Sequence, residues 1–190
     1  MNVGTTLYVK DRKVWRTWLA EHHATASDIW LIYYKKGSGK ERIPYNDAVE
    51  EALCYGWIDS IVKSRDEQSF VQRFSPRKPK SVLSELNKER VRRLIASKRM
   101  RKPGLVALAR HLPSLGLPAS PVRFVFPKDI LDAVRKDPAA WKHYRKFPLT
   151  YRRIRIGWID NSRSRPEFFR KRLRYFIAMT AKNKRFGTIQ

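Results

Sequence analysis

The chain has 190 residues, 42% of them hydrophobic and 12% aromatic, which excludes a disordered protein and leaves length for one domain, or one domain with a small second lobe. Lysines and arginines number 42 against 17 aspartates and glutamates, a formal charge of +25. Basic and acidic residues balance as far as Val62, so the whole excess lies after the first third of the chain, the pattern of a folded module with a basic face that attracts polyanions.

Residues 5–9 form a short β-prone run, and Asp11 caps a helix that carries Val14, Trp15, Trp18 and Leu19 on one face. The run IWLIYY at residues 29–34 has the length and composition of a strand, ended by a turn at residues 36–40. Pro44 opens a helix with Ala48, Val49, Ala52 and Leu53 inward, and Gly56 ends it in the left-handed conformation. Residues 60–63 and 69–74 flank Arg65-Asp66-Glu67 as a hairpin. Ser81 or Ser84 then caps a helix with Leu86, Val91, Leu94 and Ile95 inside, and Pro103-Gly104 starts a shorter one.

Prolines 113, 118, 121 and 127 keep the following stretch out of helix and mark a connection. Beyond it the pattern is wholly helical. Asp137-Pro138 starts a helix burying Trp141 and Tyr144, and Thr150 caps another that presents Tyr151, Ile154, Trp158 and Ile159. Ser164 to Glu167 has capping-box spacing before a stripe of Phe169, Leu173, Phe176, Ile177 and Thr180. The expected architecture is α+β: a sheet-containing lobe over residues 1–112, a proline-rich connection over 113–126, and a helical, strongly basic lobe over 127–190.

Catalytic signatures are scarce. His22, His23, His111 and His143 stand in no metal-binding spacing, and the loop KKGSGK lacks the four-residue spacer of a phosphate loop. Cys54, the single cysteine, cannot form an internal disulfide and sits within a helix as a buried, inert thiol. No cofactor is expected. The start of the chain has no leader-like apolar run, and no stretch reaches the roughly 20 apolar residues of a membrane span, so the expected setting is cytoplasmic.

Two groups of residues invite a functional reading. Trp57, Asp59, Arg73, Arg77, Ser81, Ser84 and Asn87 lie near turns and helix starts, where N–H donors collect, and together suggest an anion-tolerant cleft. Arg77 could instead clamp Asp59. The other group is basic. Ser75-Pro76-Arg77-Lys78 has the form of a minor-groove turn, and Arg152, Arg153, Arg155, Arg163, Arg165, Arg170, Lys171, Arg172 and Arg174 surround aromatic residues on late helices. With no base-reading signature, any nucleic-acid binding would be directed at the backbone. Gly-Trp-Ile-Asp occurs at both Gly56 and Gly157, but the flanking residues differ and the repeat is coincidental.

Three motifs in order, ALCYGWIDS at residues 52–60, QRFSPRKPKS at 72–81 and SELNKERVRRLIASKRM at 84–100, resemble the YdeI/OmpD-associated family. The resemblance extends more weakly to residues 127–131 and 151–159. It implies a small cytoplasmic bacterial α+β protein of a family linked to protection against bacteriocins or cationic peptides, with no established reaction or cofactor. The chain departs from the pattern at Leu83, where the family has Trp, and at Lys98, where relatives often have Gly. A left-handed backbone at Lys98 would cost about 1 kcal/mol. The leading expectation is thus a non-enzymatic YdeI-like protein of stress or antimicrobial-peptide tolerance. The alternatives are a sequence-nonspecific nucleic-acid-binding protein and an enzyme using the cleft near Asp59 and Arg77.

Overall fold

The computed structural model describes residues 2–115 and 124–187, so the centre of the proline-rich connection, with Pro118 and Pro121, lies outside the described residues. The chain divides into two compact units, Met1–Val82 with Arg90–Pro118, and Leu83–Glu89 with Ala119–Gln190. The architecture is α+β as expected, with helices dominating the second half.

In the first unit, β1 (Thr6–Tyr8), α1 (Arg12–His22) and β2 (Ile29–Tyr34) form a parallel crossover. The antiparallel hairpin of β3 (Trp57–Ser64) and β4 (Ser69–Pro76) completes a sheet of order β1-β2-β4-β3. β2 is apolar at nearly every position because it is an interior strand with both faces covered. Ile29, Leu31 and Tyr33 stand opposite Phe74, Gln72 and Phe70 on one face, while Trp30, Ile32 and Val71 cluster on the other. The hairpin is longer than residues 60–63 and 69–74. Its ladder runs on until Pro76, which has no N–H to donate, pairs with Trp57.

Asp11 caps α1 by accepting from the Lys13 and Val14 amides at 2.8 and 3.0 Å. That start sets the helix phase so that Trp15 and Leu19, four residues apart, enter the core; Val14, about 100° away, is 48% exposed rather than buried. The Trp15 indole N–H donates to the Ala48 carbonyl at 3.0 Å, joining α1 to α2 (Tyr45–Cys54).

Gly56 follows α2 with φ +77°, and a Cβ there would lie 2.6 Å from the Ala107 Cβ on α4 (Lys102–Leu108). Both the left-handed backbone and the close packing require glycine. Gly56→Ala should therefore destabilise by about 1–3 kcal/mol, read as a lower midpoint in denaturant; an unchanged midpoint would contradict this account.

Ser84 starts α3 (Glu85–Ala96), its hydroxyl accepting from the Asn87 amide at 3.3 Å. The helix ends with the Lys98 amide on the Ile95 carbonyl (2.9 Å) and the Arg99 amide on the Leu94 carbonyl (2.8 Å), with Lys98 itself at φ +56°. This paired closure puts a side chain where glycine is preferred. Lys98→Gly should raise stability by about 0.5–1 kcal/mol, since removing the Cβ relieves more strain than the added chain entropy returns. Thermal melts of the two proteins would show it.

In the second unit, α5 (Lys128–Arg135), α6 (Pro138–Tyr144), α7 (Leu149–Asp160) and α8 (Pro166–Ala181) enclose Ile130, Val134, Tyr144, Tyr151, Ile159 and Phe176. No β-strand occurs among the described residues after Pro127. Asp137 caps α6 through the Ala140 amide at 2.9 Å. Two other expected caps do not form. α7 begins directly after Pro148, so Thr150 lies inside it, and α8 begins at Pro166 with no side-chain cap from Ser164. Proline replaces the cap at these starts, since it fixes φ near the helical value and adds no orphan N–H of its own. Among the described residues, no helix is long and apolar enough to cross a membrane.

Candidate functional site

The second unit contains a pocket of about 310 Å3, within the size range of small-molecule sites. Three positions on α7 and just past its end, Arg155, Trp158 and Asn161, follow a three-residue spacing that places them on one helix face. Arg165 and Arg172 enter from the start and middle of α8, and Ser84, Glu85 and Leu86 from the start of α3. Gly157 makes room for the Glu85 side chain: a Cβ there would lie 2.7 Å from the Glu85 Cγ.

The charge inside this pocket is unbalanced. Glu85 is already neutralised by Lys88 at 2.6 Å and Arg153 at 3.2 Å. Arg155, Arg165 and Arg172 have no carboxylate within 4.0 Å among the described residues. Arg155 is only 6% exposed, set among the rings of Phe186 (4.9 Å), Tyr151 (5.7 Å) and Trp158 (5.9 Å). Its Nε is buried with no hydrogen-bond partner. Burial pulls its pKa down from the ordinary arginine range; at Arg172 burial does the same, reinforced by repulsion from Arg165. Arg172 lies 4.6 Å over the Trp158 ring and donates Nη1 to the Trp158 carbonyl at 2.6 Å, closing the end of α7.

Of the seven residues expected to form a cleft, Trp57, Asp59, Arg73, Arg77 and Ser81 belong to the first unit and Ser84 and Asn87 to the second. Trp57 is core, 1% exposed, its indole N–H on the His23 carbonyl at 3.1 Å. Arg73 pairs with Asp28 at 2.7 Å, and the Ser81 hydroxyl donates to the Lys78 carbonyl at 2.8 Å. Asp59 accepts from the Tyr45 hydroxyl at 2.9 Å and the Gln72 amide at 3.0 Å. The Arg77–Asp59 clamp is absent for a reason of register: Asp59 pairs with Phe74, whereas the Arg77 amide bonds the Gly56 carbonyl, three residues or about 10 Å along the strand. Arg77 instead donates to the carbonyls of Val82 (2.6 Å) and Ser81 (3.4 Å).

Residues 7–107, just over half the chain, match the family model described as a Domain of unknown function (DUF8412). Residues 123–183 match the model described as Bacteriocin-protection, YdeI or OmpD-Associated. The chain belongs to the DUF8412 family and carries a YdeI or OmpD-associated domain. No curated protein and no solved structure matches it. The family resemblance therefore holds, but the model that bears it out covers the later helices, where the motif likeness was weaker, and not residues 52–100.

The YdeI or OmpD-associated domain contains the whole of the late basic set, whose members divide by environment. Arg152 lies 5.4 Å over the Tyr144 ring, Arg153 is ion-paired with Glu85 and Glu89, and Arg155 is buried. Arg163 is held by both Asp129 oxygens at 2.9 Å and by Asp160. Only Arg170, Lys171 and Arg174 form an exposed basic face on α8. Arg77 is 7% exposed and turned to backbone carbonyls, so of the Ser-Pro-Arg-Lys turn Lys78 alone presents its charge to solvent. Among the described residues, no group of three or more His, Cys, Asp or Glu could hold a metal ion.

Proposed function

We propose that this YdeI-like chain is a non-enzymatic binding protein of the cytoplasm that acts in stress or in antimicrobial-peptide and bacteriocin tolerance. The observation that carries the reading is the match of residues 123–183 to the bacteriocin-protection family model, over the segment that supplies most of the cationic pocket. The pocket chemistry supports binding over catalysis. Guanidinium groups donate hydrogen bonds and hold charge, but do not exchange protons near neutral pH. The test is survival of a sensitive bacterial strain carrying the chain, challenged with a bacteriocin and with a cationic peptide. Survival above an empty-vector control is expected for at least one agent, and equal killing by both would refute the reading.

The exposed face of Arg170, Lys171 and Arg174 favours a second reading, sequence-nonspecific binding to nucleic acid. In that case log K for duplex DNA falls with log[salt] at a slope of about −0.9 per phosphate neutralised, or near −5 for about six contacts. Replacing the three residues with Ala should reduce the slope by up to about three. Their exposure means the variant should fold normally, which circular dichroism would verify. Undetectable binding to DNA and RNA at about 50 mM salt would eliminate this reading.

A further inference from the structure

We propose that the pocket bounded by Arg155, Arg165, Arg172 and Asn161 is a binding site for a small phosphomonoester. The inference goes beyond a role in tolerance and stands on the geometry of the second unit alone. Three guanidinium groups converge on one cavity without a carboxylate to balance them among the described residues. One of them, Arg155, is 6% exposed with an unpartnered Nε. A buried charge without a counter-charge is costly, and an anion seated in the cavity offsets that cost. A phosphomonoester carries close to two negative charges and three acceptor oxygens at neutral pH, and guanidinium forks suit it.

The dimensions distinguish an organic phosphate from a bare anion. A cavity of about 310 Å3 leaves room for an organic body beside the phosphate group. That space is lined by Ile154, Leu86 and Trp158, while the Asn161 amide and the Glu85 carboxylate offer partners for hydroxyl or amino groups. The Arg172 and Arg155 guanidinium groups already lie over the Trp158 ring, at 4.6 and 5.9 Å, which leaves less of that ring for a ligand to stack on. A compact, hydroxyl-bearing phosphate such as a sugar phosphate fits this lining better than a flat aromatic base.

The experiment is isothermal titration of the full chain, in a low-salt buffer free of phosphate, with a hexose phosphate, inorganic phosphate and acetate in turn. The hexose phosphate should bind with Kd of about 1 mM or tighter and raise Tm at saturation. Inorganic phosphate should bind more weakly, and acetate not measurably. Arg165 is exposed, so Arg165→Ala should fold normally, and it should weaken hexose phosphate binding tenfold or more. Arg172→Gln should do the same, with circular dichroism to check its fold. Exposed Lys142→Ala, a charge-matched change on α6 outside the pocket, should leave Kd unchanged. The proposal is overturned by absence of heat or thermal shift up to about 10 mM hexose phosphate, by acetate or inorganic phosphate binding as tightly, or by Lys142→Ala weakening binding as much as Arg165→Ala. Binding confined to polynucleotides would also overturn it and favour the basic face of α8.

Discussion

Trp57→Ala should cost the protein about 3–5 kcal/mol of folding stability. The side chain opens β3 with 1% exposure, and its ring meets Trp18 edge to face at 5.7 Å. Truncation removes its packing contacts and leaves a cavity that the surrounding rings cannot fill without leaving their own positions. It also orphans the His23 carbonyl, which accepts the indole N–H at 3.1 Å, adding roughly 1 kcal/mol or more if water cannot reach it. Urea denaturation should show a much lower midpoint with an unchanged slope. A loss under about 1 kcal/mol would mean that the indole is not core and would reopen a ligand-platform role. Trp57→Phe should fall between the two, since it retains a ring and loses the hydrogen bond.

Comparable damage is expected from Glu51→Ala, through charge instead of volume. The Glu51 carboxylate on α2 is fully buried and accepts hydrogen bonds from Arg16 and Arg99, with the Arg12 Nε 3.5 Å away. Neighbouring Glu50 shares Arg12 at 2.9 Å and Arg99 at 3.7 Å. Removing Glu51 leaves guanidinium groups facing one another around an empty space. Loss of one partner from a buried ion pair typically costs about 3–5 kcal/mol. Glu51→Gln should be milder, because it preserves shape and an acceptor oxygen. A double-mutant cycle with Arg16→Ala should be strongly non-additive, with the second substitution costing less once the first is made. Additive losses would contradict the network.

The contrast between these two positions shows what was legible in the sequence. The sheet strands, the αL turn at Gly56 and the inert Cys54 all follow from local rules: a β-branched run, a glycine after a helix, a thiol on an inward helix face. Glu51 does not. Its partners Arg16 and Arg99 lie 35 and 48 residues away in sequence, and nothing in the octet around Glu51 distinguishes it from a solvated acidic pair with Glu50. The same limit applied to the cleft. Asp59 and Arg77 are near neighbours in the chain, yet the hairpin register separates them, and register depends on which strand face is buried. The pocket was half legible. Ser84 stands among the cleft residues and Arg155, Arg165 and Arg172 in the basic set, but no local pattern joins the two groups. The signal for a pocket was the spacing of Arg155, Trp158 and Asn161 on one helix face, with Arg165 and Arg172 two turns apart on the next helix.

Cys54 gives the first unit a built-in clock. Its thiol is fully buried at the end of α2, and burial together with the nearby Glu51 charge pushes its pKa up, so the native chain holds almost no thiolate for a reagent to meet. The Gly104 backbone lies directly over the Cys54 carbonyl, close enough that a Cβ at Gly104 would sit 2.3 Å from that oxygen. Access to the sulfur therefore requires an opening of the structure around α2. Because the chain has one cysteine, the rate at which a thiol-specific label is taken up in native buffer measures how often that region opens, without any introduced cysteine. Glu51→Ala and Gly56→Ala should quicken the labelling in proportion to the stability each removes from this region.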